Sequence, residues 1–241
     1  MAVSELAMVA DQLERRLREV GTHERSAGEQ RYLKSSLTHL GATVAQTRRE
    51  ASRVAKEIPG HDELVTLVEE LWAKPVHERR AAAAFLLHAR VDLLDAADLP
   101  LIERLVRESR TWALVDVLGG AALGALLVRH PEAASRLDAW ASDGDFWIRR
   151  AALLSQLEPL KAGADFERFG RYADSMLYER EFFIRKAIGW VLRETGKRRP
   201  DEVYEWLLPR AARASGVTMR EALKYLSLQQ RDALLAARAD G

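Results

Sequence analysis

The fold is decided by the segment Glu181-Phe-Phe-Ile-Arg-Lys-Ala-Ile-Gly-Trp-Val-Leu-Arg-Glu194. Its first seven residues repeat the pattern of an earlier segment, Asp145-Phe-Trp-Ile-Arg-Arg-Ala-Ala152. Both segments read acid, two aromatic residues, Ile, two cations and Ala, and the equivalent alanines, Ala151 and Ala187, are 36 residues apart. A unit that recurs at this spacing is typical of stacked helix pairs. The pattern therefore predicts a helical-repeat solenoid, with the same helix face presented in each repeat.

The rest of the chain favours the same all-α class. Apolar residues recur at steps of three and four in nearly every segment, as in residues 4–20, and no stretch alternates long enough to be a strand. Breakers such as Pro75, Pro131 and Gly163 separate the segments, without a long linker. We therefore predict a single HEAT-like domain over residues 1–241. A second helix is expected to begin at Ser26 or Glu29 and to run to about Thr38. The other helices are expected near 4–20, 46–57, 62–73, 76–90, 98–106, 110–128, 131–141, 146–157, 166–177, 181–195, 200–214 and 218–237.

Composition narrows the class of protein. The chain has no cysteine, which excludes disulfides and thiolate chemistry and suits a reducing cytoplasm. No apolar run reaches 18 residues, because Asp116 interrupts the best candidate, so we expect no membrane span. The net charge is only +1, but cations cluster between Arg185 and Arg199. Basic residues on one helix face would make the concave groove of a solenoid basic and able to follow a phosphate backbone.

Several common kinds of site have little support. The six histidines lack metal-ligand spacing, so no metal site is predicted, and no phosphate-binding Walker loop is present. Gly119, Gly120 and Gly124 lie in an apolar segment, where close helix packing is the simpler explanation.

Asp116 is the most unusual residue of that apolar segment. Trp112 precedes it by four residues, so the two side chains project from one helix face. A carboxylate in such a helix is costly unless it is paired or faces a cleft. One interpretation is a salt bridge between helices, with Arg149 or Arg150 as the partner. The other is an anion beside an indole that receives a cationic ligand.

These motifs together resemble the AlkD-type DNA alkylation-repair glycosylases, a family of HEAT-like repeat proteins. The resemblance rests, in chain order, on Tyr32-Leu-Lys34 with Leu40-Gly41, on Trp112 and Asp116, on Trp147-Ile-Arg-Arg-Ala-Ala152 and on Glu181-Phe-Phe-Ile-Arg-Lys-Ala-Ile-Gly-Trp190. It implies that Asp116, Trp112 and Trp190 are catalytic. It also implies that Arg150 holds the DNA backbone and that Tyr32 shapes the edge of the cleft.

The activity implied by the resemblance is hydrolysis of the N-glycosidic bond of purines alkylated at N3 or N7. The expected partner is double-stranded DNA that contains such bases, and neither a cofactor nor a metal is required. The lesion would be handled at the surface of the duplex rather than extruded into a snug pocket. We expect a monomer, because the groove of a short solenoid must accept a duplex.

Further cations are candidates for contacts to DNA phosphates. Arg149 and Arg150 are adjacent and point about 100° apart, so one is expected to face DNA and the other a helix or Asp116. Lys186 and Arg193 share a helix face and could follow a phosphate chain. Tyr32 and Lys34 complete the candidate DNA-binding set. Both the DNA-binding and the catalytic assignments have simpler alternatives. The cations could belong to a solvated surface, and Trp190 could be a core residue.

The chain departs from the family pattern at two places. Thr111 and Ala113 flank Trp112 where many members carry a second aromatic residue, and Ser35-Ser-Leu-Thr-His39 replaces an aromatic and proline-rich stretch. Both changes thin the aromatic lining of the cleft. A non-catalytic HEAT-like module that binds DNA or protein is therefore the alternative to a glycosylase.

Overall fold

The computed structural model describes residues 1–239, and most of these residues are helical, as predicted. Within them, extended pairing is limited to one bridge between Thr38 and Val76. Their contacts divide the chain into two compact units, Met1–Leu126 and Leu127–Gly241. The fold is that of a helical-repeat protein of the predicted class.

The first unit contains seven α-helices and a π-helical segment. They are α1 (Val3–Val20), α2 (His23–Leu33), α3 (Val44–Ala55), α4 (His61–Ala73), α5 (His77–Ala89), α6 (Leu99–Ser109), α7 (Trp112–Val115) and the π-helical Asp116–Leu123. Helix α8 (Gly124–Arg129) contains the boundary. The second unit has α9 (Leu137–Trp140), α10 (Phe146–Leu154), α11 (Leu157–Lys161), α12 (Glu167–Met176), α13 (Phe182–Gly196), α14 (Pro200–Leu207), α15 (Gly216–Ala222) and α16 (Leu228–Ala239).

Several predicted helices differ from the structure. The helix predicted over 131–141 is α-helical only at Leu137–Trp140, after a 3₁₀ segment over Pro131–Arg136. The second helix of the chain ends at Leu33 rather than near Thr38, because Lys34 adopts the left-handed conformation with φ 49°. The helix predicted over 200–214 ends at Leu207 and continues only as a 3₁₀ turn around Pro209, which lacks the amide proton that an α-helix needs. The helix predicted over 218–237 is two helices, α15 and α16.

Helix α5 is central to the first unit. It packs on α3, α4 and the π-helical segment, and its small side chains Ala81–Ala84 allow close approach. Gly119 and Gly120 are buried in that segment, in agreement with the close packing predicted for them. The segment belongs to Trp112–Arg129, the one described helix with the length and composition to cross a membrane. Core helices pass the same test, and 56% of this window is buried.

A buried carboxylate fixes the loop between α2 and α3. Glu78 is 1% exposed and accepts hydrogen bonds from the backbone amides of Leu40, Gly41 and Ala42, at 2.7–3.3 Å. Gly41 has φ +83°, and a Cβ atom on it would lie 2.1 Å from the carbonyl oxygen of Thr22. Only glycine fits this conformation and this contact. The Leu-Gly motif is therefore a structural requirement of the first unit.

The repeated segments pack against each other in the second unit. Asp145 and Glu181 each precede a helix and accept a hydrogen bond from an amide of its first turn. The aromatic residues of the two repeats also meet, with the ring centroids of Trp147 and Phe183 5.0 Å apart. The repeat therefore encodes a helix start and an aromatic contact between neighbouring helices.

Gly189 allows α13 to approach α15. A Cβ atom at this position would lie 2.8 Å from Cβ of Glu221 and 3.1 Å from the backbone of Thr218. We predict that Gly189→Ala lowers the free energy of unfolding by about 1–3 kcal/mol, because one helix must shift. Urea unfolding measures the change.

Gly28→Ala is the matched control for this substitution. Gly28 lies within α2, and a Cβ atom added to it would have no neighbour within 4 Å, so alanine should stabilise the helix by about 0.5–1 kcal/mol. Equal stability of Gly189→Ala and the wild type would show that the close approach of α13 and α15 has no energetic role.

Candidate active site

Trp112 and Asp116 lie one helical turn apart, as their spacing predicts. Helix α7 begins at Trp112, after Arg110 in the left-handed region and Thr111 in an extended conformation. The amide of Asp116 donates a hydrogen bond to the carbonyl oxygen of Trp112. Both side chains are half-buried, whereas Leu114 and Val115 between them are buried. The helix therefore buries its apolar face and leaves the indole and the carboxylate partly accessible.

The structure adds a feature that periodicity did not predict. The helix changes from α to π at Asp116 and returns to α at Gly124. Gly119 and Gly120 weaken the α-helical preference here, since each glycine costs about 1 kcal/mol relative to alanine. π-Helical stretches are rare in proteins, and many of those that occur lie at functional sites. Asp116 is thus the residue at which the helical geometry changes.

Tyr32 meets Trp112 within the first unit. The two ring centroids are 6.0 Å apart with the planes at 86°, an edge-to-face contact. Tyr32 is 73% exposed, so it is held at the surface rather than packed in the core. Lys34 is exposed and ends α2 in the left-handed conformation. The structure therefore brings Tyr32, Trp112 and Asp116 into one region, with Lys34 on the adjoining loop.

The two adjacent arginines of α10 have different surroundings, as their 100° separation requires. Arg149 forms a two-pronged ion pair with Glu179, with both N–O distances 2.8 Å. Arg150 is 3% exposed, donates a hydrogen bond to the carbonyl oxygen of Phe183 and lies 5.8 Å from the centre of its ring. A DNA phosphate would have to compete with these contacts.

Lys186, Trp190 and Arg193 share one face of α13, with Trp190 half-buried. Glu221 of α15 accepts hydrogen bonds from Lys186 at 2.6 Å and from Arg193 at 2.5 Å. Burial alone would raise the pKa of Glu221, but hydrogen bonds from Lys186 and Lys224 lower it to about 2. Glu221 is therefore an anion at neutral pH. It already pairs with Lys186 and Arg193, the cations predicted to bind DNA phosphates.

Replacing Glu221 with Gln should strengthen binding to duplex DNA. The variant keeps the shape of the side chain and removes the anion that competes with phosphates for Lys186 and Arg193. The slope of log affinity against log salt should become steeper by about 0.9 for each additional phosphate that the protein binds. Fluorescence anisotropy across a salt series measures both quantities.

Glu158→Gln provides the control, because Glu158 is a half-buried acid that pairs with Lys161 in the same unit. It changes the net charge equally. Slopes that are equal in Glu221→Gln and Glu158→Gln would count against DNA contacts by Lys186 and Arg193.

The sequence alone does not identify Glu221 as part of the site. It lies on α15, 35 residues after Lys186 and 28 residues after Arg193, the two residues of α13 that it binds. No local pattern marks it. The only signal is indirect, since Gly189 lies on the same helix face as Lys186 and Arg193 and allows α15 to come close.

Comparisons with known proteins agree with this structure. A family model described as "DNA alkylation repair enzyme" matches residues 13–226. Among solved structures, the chain is similar to a "Predicted DNA alkylation repair enzyme from Enterococcus faecalis", with 24% identity, a TM-score of 0.74 and coverage of 86% of this chain and 97% of that one. No curated protein matches the chain. Because the family model spans most of both units, the chain belongs to the DNA alkylation repair enzyme family, and its role is in DNA repair.

Proposed function

We propose that this protein is a monofunctional DNA glycosylase that removes purines alkylated at N3 or N7 from duplex DNA. It would act as a cytoplasmic monomer without a cofactor. The observation that carries the proposal is the half-buried pair of Trp112 and Asp116 at the start of an apolar helix. A carboxylate in an apolar helix is costly unless it is paired or faces a positive charge, and a reaction with a cationic transition state supplies such a charge.

The substrate supplies much of the driving force. Alkylation at N3 or N7 gives the purine a positive charge, so it leaves without protonation by an acid. As the N-glycosidic bond breaks, its electron pair neutralises the base, and positive charge develops on the deoxyribose. The oxygen of a water molecule then bonds to C1′ and loses a proton. The products are a free base and an abasic site.

Asp116 and the indoles would stabilise the developing sugar cation. A carboxylate about 4 Å from a unit charge contributes up to about 4 kcal/mol at an effective dielectric constant near 20. An indole face contributes roughly 0.5–2 kcal/mol to binding a cation. Asp116 would also orient the attacking water and receive its proton. We assign these roles to Asp116 and Trp112 in the first unit, and a second indole to Trp190 in the second.

Contacts to DNA are assigned to the cations of the second unit. Arg150, Arg149, Lys186 and Arg193 would exchange their present partners for phosphates, and Tyr32 and Lys34 would contact DNA from the first unit. The alternative function is a non-catalytic module that binds DNA or protein. It is favoured because Arg149, Lys186 and Arg193 already form ion pairs with acids of the protein. A protein-binding module would not bind duplex DNA in a salt-dependent manner.

Substitution of Trp112 by Ala tests the catalytic assignment. Loss of one cation–π contact should slow base release by about 2- to 30-fold. The melting temperature should fall only modestly, because the indole is half-buried and touches the exposed Tyr32. Base release and thermal unfolding are measured on the same preparation.

Trp147→Ala is the comparison variant, since Trp147 is a buried indole packed on Phe146 and Phe183. It should lower the melting temperature much more than Trp112→Ala does. A similar collapse of stability in both variants would make Trp112 a core residue and remove it from the mechanism.

A further inference from the structure

Three potential metal ligands meet in the first unit, and none of them is among the candidate site residues predicted from the sequence. They are Glu29 of α2, His39 of the following loop and Glu78 of α5, and one donor atom from each lies within 4.8 Å of the others. The loop is held in place by the amide contacts of Glu78, so the three residues come from elements with fixed positions.

His39 is the unusual member of this cluster. Its side chain has no exposed surface, and within residues 1–239 neither ring nitrogen has a hydrogen-bond partner. Its Nδ1 atom lies 3.9 Å from Oε2 of Glu29, which is also buried without a hydrogen bond. Buried polar atoms are nearly always paired, because leaving them unpaired costs free energy. Two such atoms that face each other indicate a ligand between them.

Both carboxylates keep acceptor capacity for such a ligand. Oε1 of Glu29 is bound by Arg25, and Oε2 is left facing His39. Oε1 of Glu78 accepts from three backbone amides, whereas Oε2 shares only the amide of Leu40. Each acid is therefore anchored through one oxygen while the other oxygen can coordinate.

The charge and chemistry of the cluster fit a divalent cation. Two carboxylates and an imidazole meet in a poorly hydrated place, with one donor atom from each within 4.8 Å of the others. Imidazole nitrogen with carboxylate oxygen is a donor set that Zn²⁺ accepts readily.

We propose that Glu29, His39 and Glu78 bind a first-row divalent cation, best matched by Zn²⁺, through Oε2 of Glu29, Nδ1 of His39 and a carboxylate oxygen of Glu78. Zn²⁺ binds such atoms at about 2.0–2.2 Å, so the donors must close in by about 1 Å or less. A surface depression lined by Arg25, Gly28, Glu29 and Tyr32 reaches Glu29 and provides a route of entry. His77 stacks on His39 at 4.5 Å and would fix the orientation of its ring.

The ion would connect this cluster to the candidate active site. Glu29 precedes Tyr32 by three residues on α2, and the Tyr32 ring contacts Trp112. Glu78 lies on α5, which packs on the π-helical segment that begins with Asp116. A cation shared by the two helices would hold the Tyr32 edge against Trp112, a structural rather than a catalytic role.

The test is retention of Zn²⁺ by the full-length protein. Wild type, Glu29→Gln and His39→Gln are loaded with Zn²⁺ and dialysed against metal-free buffer, and bound metal is measured by mass spectrometry. We expect one equivalent in the wild type and a higher melting temperature than in the stripped protein. Each variant should lose affinity by at least about 100-fold, since even outer partners of metal ligands are worth about 10- to 100-fold.

His61→Gln is the control for adventitious binding. His61 also contacts two acids, Asp62 and Asp98, but through opposite ring nitrogens, so the three cannot chelate one ion. This variant should retain Zn²⁺ as the wild type does. Loss of Zn²⁺ in His61→Gln with retention in Glu29→Gln would overturn the proposal.

Two further results would also overturn it. The first is wild type that retains no Zn²⁺, in which case the two buried atoms are not metal ligands. The second is Glu29→Gln with the same affinity as wild type. Because His39 is buried and its replacement can impair folding, Glu29→Gln decides the outcome, with its fold checked by circular dichroism.

Discussion

Asp116→Asn should slow the release of alkylated bases by about 10²–10³-fold and leave the affinity for duplex DNA nearly unchanged. The substitution keeps the size of the side chain and removes its charge. If the carboxylate acts mainly on the cation that develops in the transition state, its loss raises the barrier by about 2.7–4 kcal/mol without weakening ground-state binding. Single-turnover release from methylated duplex measures the rate, and anisotropy measures the affinity.

Glu103→Gln is the matched control for Asp116→Asn. Glu103 is another half-buried acid of the first unit, and it pairs with Arg107 on α6. Its replacement removes the same charge and should leave the release rate unchanged. A wild-type rate in Asp116→Asn would remove Asp116 from the mechanism, and equal slowing in both variants would point to a general effect of charge.

Arg79→Ala should lower the free energy of unfolding of the first unit by about 3–5 kcal/mol. Arg79 is 1% exposed, and its guanidinium is 2.9 Å from both Asp11 and Glu14. It also donates to the carbonyl oxygens of Ala10, Glu70 and Leu71, so one side chain joins α1, α4 and α5. Alanine would leave the acids without this partner and remove a donor from the carbonyl oxygens of Glu70 and Leu71 near the end of α4. Urea unfolding gives the loss.

Lys74→Ala serves as the control, because Lys74 binds the same Asp11 at 2.7 Å from an exposed position. Exposed ion pairs contribute about 0–1 kcal/mol, so this variant should stay close to wild type. Lys74 and Arg79 hold the pKa of Asp11 below its usual range, so the stabilisation is present above the unfolded pKa and is lost as the pH falls through the folded one. Equal losses in both variants would mean that the burial of Arg79 does not matter.

The sequence predicted helix positions well wherever the spacing of apolar residues and the positions of Pro and Gly indicate the same helix ends. The helix expected over 62–73 is observed as His61–Ala73, and the one expected over 181–195 as Phe182–Gly196. Prediction failed where one residue overrides the period, as with the left-handed Lys34 and with Pro209. The π-helical stretch from Asp116 also escaped, since its apolar residues fit an α-helix equally well.

The candidate site was predictable only in part, for a physical reason. Trp112 and Asp116 stand out because they occur together in an apolar helix, and this is visible in one segment. Glu78 and Glu221 look like ordinary surface acids, yet each binds groups on elements far away in the chain. The cluster of Glu29, His39 and Glu78 likewise has no local spacing, because three separate elements contribute to it. Such contacts arise from tertiary packing alone.

The most direct test of the proposed glycosylase is product analysis with the wild-type protein and methylated duplex DNA. Chromatography with mass spectrometry would quantify free 3-methyl- and 7-methylpurines, and strand cleavage in alkali would quantify abasic sites. We predict equal amounts of free base and abasic site, and none from unmethylated duplex. Duplex that is bound with a clear salt dependence, but releases no base, would contradict the glycosylase and leave a non-catalytic DNA-binding module.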